Sequence, residues 1–221
     1  MAEPLSAHPS TPPPAPSSSP SPLSRPRRRR HVLKEFLPMG VAAAVMLMAR
    51  TSLADHYVVP SGSMEPTVQV GDRILVDKRA FGIRLPVIDT YILPLAEPKP
   101  GDVVVLASPE NDSTLLKRVV AGPGDMIAVK GGRVTLNGLK APVTHERGGA
   151  WEALGETRHP LRLGGPDFGP VRVPDGHYLV MGDNRGNSHD GRLFGFVARD
   201  AIRGRAVRVF LRNGDFTWKT L

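Results

Sequence analysis

Leu115-Leu116-Lys117-Arg118-Val119-Val120-Ala121-Gly122-Pro123-Gly124-Asp125-Met126-Ile127-Ala128-Val129 reads as a strand, a turn and a second strand. An aliphatic run stops at Gly-Pro-Gly-Asp, residues that supply the backbone angles a turn demands, and another short apolar run follows. The pattern recurs on both sides. Gly71-Asp72 precedes Ile74-Leu75-Val76, Pro100-Gly101-Asp102 precedes Val103 to Leu106, and Pro174-Asp175-Gly176 leads into His177 to Met181. Gly131-Gly132 and Asn137-Gly138 fit two-residue hairpin turns, which need positive φ at both central positions. Ala206 to Leu211 forms a last apolar run. Short strands at this spacing predict a mainly β, mostly antiparallel domain over residues 55–221. Residues 144–170, rich in Gly and charge, show no clear period and read as an irregular excursion from the sheet. The 23 Gly and 23 Pro disfavour an all-helical bundle.

Upstream the character changes. Residues 1–26 contain nine Pro and seven Ser. Such a stretch cannot bury enough surface to offset its ordering entropy and reads as disordered. Arg25, Arg27, Arg28, Arg29, Arg30 and Lys34 follow, so the tail 1–35 carries six bases against two acids. The other 186 residues hold 23 bases and 19 acids, too mild an excess to read the whole chain as a nucleic-acid binder. Phe36 to Ala49 is uncharged, and extended to Ala54 the segment is long enough, at about 28 Å of helix, to cross a bilayer core. A buried core helix fits the flanking basic cluster poorly. A cleaved secretory signal is a rival, because Ser52 and Ala54 are small at −3 and −1 before Asp55. A retained anchor over 36–54 is the preferred reading, single-pass, with the basic side cytoplasmic and the C-terminal domain exported. With no Cys, the chain has no disulfide, thiol nucleophile or Cys-based zinc site.

Three segments carry candidate chemistry. In extended backbone, Ser61 and Ser63 of Pro60-Ser61-Gly62-Ser63-Met64-Glu65-Pro66-Thr67 project to one face, and Gly62 lets another chain approach. Ser63 can attack if a base takes its proton, with its own N–H and the Ser61 hydroxyl as oxyanion donors; the plain alternative is turn chemistry. Strand alternation gives Lys117 a shared face with Leu115 and Val119. Burial there lowers the amine's pKa and makes it a candidate general base, whereas an edge-strand Lys would reach solvent. Gly182-Asp183-Asn184-Arg185-Gly186-Asn187-Ser188-His189-Asp190-Gly191-Arg192 reads as a tight loop. There Ser188 can orient the Lys117 amine, and Asp190 with Arg192 can form a structural buried pair.

Together these segments resemble the type I signal peptidases of bacteria, membrane-anchored serine proteases with a Ser/Lys dyad. The resemblance covers most of residues 50–212, with the boxes in the family's order. It puts the nucleophile at Ser63, the second oxyanion donor at Ser61, the general base at Lys117, the Lys-supporting hydroxyl at Ser188 and the structural pair at Asp190 and Arg192. Gly71-Asp72 through Lys78 resembles the family's intervening strand box. Gly186 and Gly191 depart from the pattern, standing where the family often has Asp and Ser. The resemblance further implies shallow apolar pockets for small side chains at −1 and −3. Their walls are placed at Tyr57, Val59, Pro60, Met64, Val68, Ile74, Val105, Leu115 and Leu116. It implies exported preproteins as substrates, a bacterial inner-membrane location with the catalytic domain on the periplasmic side, and a lipid bilayer as partner. It implies a monomer that binds no nucleic acid and needs no metal or cofactor.

Four other readings compete with this one. A Ser-His-Asp hydrolase would use His189 and Asp190, but neighbours on a strand face opposite ways and are poorly placed as base and orienter. A self-cleaving repressor would need a DNA-binding module where residues 1–54 offer a Pro/Ser tail and an apolar span. A related Ser/Lys peptidase that matures a conjugative pilin is the alternative nearest to the preferred reading. A membrane-tethered binding domain would be indifferent to Ser63→Ala.

Overall fold

The computed structural model describes residues 36–42, 54–85, 90–146 and 148–221. The tail 1–35 lies outside the described residues. Of the expected anchor only the helical stretch 36–42 and Ala54 are described. Among the described residues no helix is long and apolar enough to cross a membrane. The chain divides into two compact units, residues 1–43 and 44–221, and the β architecture belongs to the second.

Its main sheet is built from β1 (Ala54–Val58), β2 (Arg73–Asp77), β5 (Val103–Ala107), β6 (Thr114–Ala121), β14 (His177–Met181), β15 (Val197–Ala198), β16 (Ile202–Arg212) and β17 (Asp215–Thr220). They run in the order β1-β2-β16-β5-β6-β14-β15, with β17 also paired to β16. These pairings are antiparallel, as the turn spacing predicts. Near-continuous apolar runs mark the middle of the sheet. Val103 to Leu106 and Val119 to Ala121 are buried on both faces, whereas a half-exposed strand would alternate.

The turn after β6 is held by its own chemistry. The Asp125 carboxylate accepts a 2.8 Å hydrogen bond from the Gly122 amide. Beyond it β7 (Met126–Lys130), β8 (Arg133–Leu136), β9 (Leu139–Lys140) and β13 (Phe168–Arg172) form a second sheet in the order β13-β7-β8-β9. Its hairpins turn at Gly131-Gly132 and Asn137-Gly138, where φ is positive at all four residues, as those dipeptides predict. β3 (Gly82–Leu85) and β4 (Thr90–Pro94) make a separate hairpin.

The stretch 144–170 is not irregular, and this corrects the expectation. β10 (Val143–Glu146), β11 (Gly149–Leu154) and β12 (Thr157–Leu161) form a three-stranded antiparallel sheet with β11 in the middle, and β13 begins at Phe168. Period-2 burial is present in β11, where Ala150, Glu152 and Leu154 point inward, and in β12, where His159 and Leu161 do. Two of those inward positions are occupied by Glu152 and His159, so a reading based on apolar alternation finds no period there.

Candidate active site

The Ser63 segment lies between β1 and β2. It is not extended, as the sequence suggested: Gly62–Met64 is a single 3-10 turn, and Ser61, with φ −136° and ψ 155°, is its N-cap. The two hydroxyls still meet, Ser61 Oγ to Ser63 Oγ being 3.4 Å. Met64 drives the turn inward. It is fully buried in the cluster formed with Val59, Val68, Ile74, Val76, Val103, Val105, Ala206 and Val209. Behind the turn the catalytic-loop candidate closes tightly. Asn184 N donates to the Ser63 carbonyl at 3.0 Å, and Asn184 Nδ2 donates to the Gly62 carbonyl at 3.1 Å. A Cβ on Gly182 would overlap the Ser63 carbonyl and the Ser188 side chain, so only glycine permits this approach.

Lys117 sits on β6 at the point where pairing changes. β5 covers one edge from Thr114 through Arg118, while β14 covers the other only from Arg118 onward. The first half of β6 thus presents an edge to the cleft, and Lys117 is the first residue of the strand to be buried, at 3% exposure. Its Nζ lies 2.9 Å from Ser63 Oγ and donates a hydrogen bond to it. Burial pushes the amine down from 10.5 to about 8, against the opposing pull of the Asp190 and Asp183 carboxylates.

A cavity of about 400 Å³ opens beside this pair. Tyr57, Val58, Val59, Pro60, Met64, Ile74, Val105, Leu115 and Leu116 line it with Ser61, Ser63, Ser113, Thr114 and Lys117. Val68, placed among the walls from sequence, is instead sealed in the cluster beneath the turn. The Val68 amide donates to the Met64 carbonyl at 3.0 Å, and Val68 is not among the residues that line the cavity.

The loop 182–192 carries the remaining candidates. Asp190 and Arg192 pair through Nε–Oδ1 and Nη2–Oδ2, both at 2.8 Å, and Asp190 also accepts from the Gly182 amide at 3.0 Å. Burial works to raise the Asp190 carboxyl, but these donors and the neighbouring Ser188 hydroxyl hold it below its ordinary value. Ser188 Oγ is buried and makes no regular hydrogen bond among the described residues, so its expected bond to Lys117 is not formed. It stands instead against Gly182 and Asp190. His189 is exposed and pairs with Glu110 at 2.6 Å, turned away from Asp190. Gly191, one of the departures from the family pattern, packs where a Cβ would strike Leu179 and the Val180 carbonyl.

Several residues of the site's support were not found from sequence. Arg118, on the opposite face of β6, is buried and grips Asp183 with two bonds, Nε–Oδ1 at 2.9 Å and Nη2–Oδ2 at 2.8 Å, and the Gly101 carbonyl with a third at 2.6 Å. Thr67 donates to the same carboxylate at 2.5 Å. Burial would raise Asp183, yet Arg118, His159 and Thr67 keep it below the usual carboxylate range. Arg185 pairs with Glu152 of β11, and His159 Nε2 stands 3.4 Å from Glu152 and 3.7 Å from Asp183. Charged residues default to the surface in a sequence reading, and nothing local distinguishes those whose partners arrive from 33 or 65 positions away.

A family model described as signal peptidase, peptidase S26, matches residues 31–211. The chain belongs to that family. A signal peptidase I of Pseudomonas aeruginosa is 38% identical over 208 residues, covering 82% of this chain and 72% of its own length. A signal peptidase I of Bacillus licheniformis is 34% identical over 186 residues, covering 82% and 90%. Among solved structures, a signal peptidase I of Enterococcus faecalis V583 aligns with 51% of this chain and 99% of its own at 24% identity and a TM-score of 0.38. As an S26 peptidase the chain is a serine endopeptidase, a hydrolase of peptide bonds.

Proposed function

We propose that this S26 peptidase removes N-terminal signal peptides from exported preproteins by a Ser63/Lys117 dyad through an acyl-enzyme. The observation that carries the reading is the 2.9 Å separation of Lys117 Nζ and Ser63 Oγ, with the amine buried. A neutral Lys117 takes the Ser63 proton as Oγ attacks the carbonyl carbon that precedes the scissile bond. The Ser63 N–H and the Ser61 hydroxyl hold the oxyanion, each contributing about 3 kcal/mol. Lys117 returns the proton to the leaving nitrogen as the C–N bond breaks. It then deprotonates the water that attacks the ester, releasing the signal peptide's carboxylate and restoring Ser63.

The substrate lies extended along the open edge of β6, where backbone groups from Thr114 to Lys117 remain available for strand-type pairing. The apolar cavity lined by Tyr57, Val59, Pro60, Met64, Ile74, Val105, Leu115 and Leu116 accepts small side chains at −1 and −3. Arg192 and Asp190 fix the loop behind the site. Residues 36–53 form a single anchor in a bacterial inner membrane, the expected end at Ala54 giving way to the start of β1, with the tail 1–35 cytoplasmic and residues 54–221 on the periplasmic side as a monomeric catalytic domain. The experiment is incubation of the purified protein and its Ser63→Ala variant with a preprotein, followed by sequencing of the product's new N-terminus. A cut after a small-x-small triplet, absent with Ser63→Ala, is the expected result. The same cut by both proteins rules the dyad out.

A further inference from the structure

A second cavity, of about 390 Å³, adjoins the nucleophile turn and is polar where the first is apolar. Glu65, Pro66, Gln69, Val70 and Arg162 line it. The apolar cavity includes Ser61, Ser63 and Met64 and shares no wall residue with this one, which begins at the next residue, Glu65. The apolar cavity is assigned above to the residues before the cut, so a separate polar cavity beginning at the residue after Met64 is a place for those that follow the cut.

Arg162 is tied to the nucleophile turn through a chain of backbone hydrogen bonds. Its N–H donates to the Asp183 carbonyl at 2.9 Å, its carbonyl accepts from Arg185 N at 2.8 Å, and it forms a parallel bridge with Asn184. Asn184 N in turn holds the Ser63 carbonyl. Two hydrogen-bonded backbone steps of about 5 Å each therefore link Ser63 to Arg162, which puts their backbones at most about 10 Å apart. Three residues of an extended substrate span about the same distance. The guanidinium is only partly committed: Nη1 donates to Glu65 Oε2 at 3.0 Å, and the side chain is 59% exposed. Nε and Nη2, the two donors of a bidentate fork, make no further hydrogen bond among the described residues. Glu65, at 27% exposure, has its carboxylate turned toward Gly62 and Arg162, which leaves it less open to a substrate cation.

We propose that Arg162 is a specificity residue on the mature side of the scissile bond, its guanidinium binding an acidic side chain within the first three residues after the cut. Glu65 holds the guanidinium in place before substrate arrives. The proposal rests on the signal-peptide reading above, since it takes the direction of the substrate from it.

The test uses the full-length protein and a set of otherwise identical signal-peptide substrates with Asp, Asn or Lys at +1, +2 or +3, read as the Asp/Lys ratio of kcat/KM within each variant. The ratio cancels any change in overall activity. Wild type is expected to favour Asp by about 3- to 5-fold at one of the three positions at low salt, shrinking in 0.5 M salt. Arg162→Gln should bring the ratio to about one, Arg162→Glu should invert it, and Glu65→Gln should widen it. A wild-type ratio of one at every position, or an Asp preference that persists in Arg162→Gln, overturns the subsite. Substrates left uncut by wild type, or cut equally by Ser63→Ala, overturn the functional reading and the subsite with it.

Discussion

Lys117 is costly to the fold in the state that does no work. The folded environment lowers its pKa from 10.5 to about 8 chiefly by desolvation. At about 1.4 kcal/mol per pH unit, the buried ammonium destabilises the native state by about 3 kcal/mol at neutral pH. The sign is that of a base depressed by folding: between about pH 8 and 10.5 the unfolded chain binds the extra proton, so stability rises with pH through that window. Lys117→Met should therefore abolish cleavage and raise the free energy of unfolding at pH 7 by up to about 3 kcal/mol, measured by denaturant titration. A methionine that destabilised the protein would mean that the amine is not paying this desolvation penalty. On the proposed dyad mechanism activity runs the same way, because there only the neutral amine accepts the Ser63 proton. kcat/KM is expected to climb about tenfold per unit up to about pH 8 and then level off. His189→Ala should leave that profile in place, since His189 is exposed and bonded to Glu110; a rate flat from pH 6 to 9 would count against a lysine base.

β11 and β12 act on the site through buried charge. Glu152 on β11 and Arg185 in the loop are both fully buried and paired, and His159 on β12 stands between that pair and Arg118–Asp183. Removing one partner leaves an uncompensated charge, so Glu152→Gln is expected to cost about 3–5 kcal/mol of stability. The double change Glu152→Leu with Arg185→Leu should lose less than the sum of the two single changes, and denaturant midpoints for the four proteins complete the cycle. Burial, aided by the Arg118 charge, depresses His159 below its ordinary value of 6.5, so its neutral form contributes stability fully above about pH 6.5 that is lost as the pH falls. His159→Gln should flatten that part of the acid limb; identical slopes in both proteins would remove His159 from it. These contacts also mark where reading the sequence stopped. Lys117 beside two aliphatic neighbours, the closeness of the Ser61 and Ser63 hydroxyls and the Asn137-Gly138 hairpin were legible because each depends on a few adjacent residues. The partners of Arg118 and Arg185 depend on chain closure, and Glu152 and His159 occupy inward positions that apolar alternation passes over. The 3-10 turn at Gly62–Met64 escaped for another reason: the extended and turned conformations both bring Ser61 near Ser63, and burial of Met64 decides between them.

The catalytic sheet is complete without the proposed anchor. β1 begins at Ala54 and pairs residue for residue with β2 from Ala54↔Asp77 to Val58↔Arg73, and the core cluster under Ser63, with the partly buried side chains packed on it, draws on described residues from Tyr57 to Leu221. A chain starting at Ala54 therefore keeps every described strand, the Ser63–Lys117 pair and both cavities, and is expected to fold with an unfolding midpoint close to that of the full-length protein. On the proposed anchor reading, what it loses is proximity. A tether confines enzyme and membrane-held preprotein to the same surface, which raises the effective concentration into the millimolar range without adding a contact. Cleavage of a short soluble peptide should then be nearly equal for the two lengths of chain, while cleavage of a preprotein reconstituted in vesicles should fall by about 100-fold or more for the shortened one. Equal loss on both substrates would mean that residues before Ala54 shape the active site itself, and equal activity on both would leave the segment 36–53 without a role as an anchor.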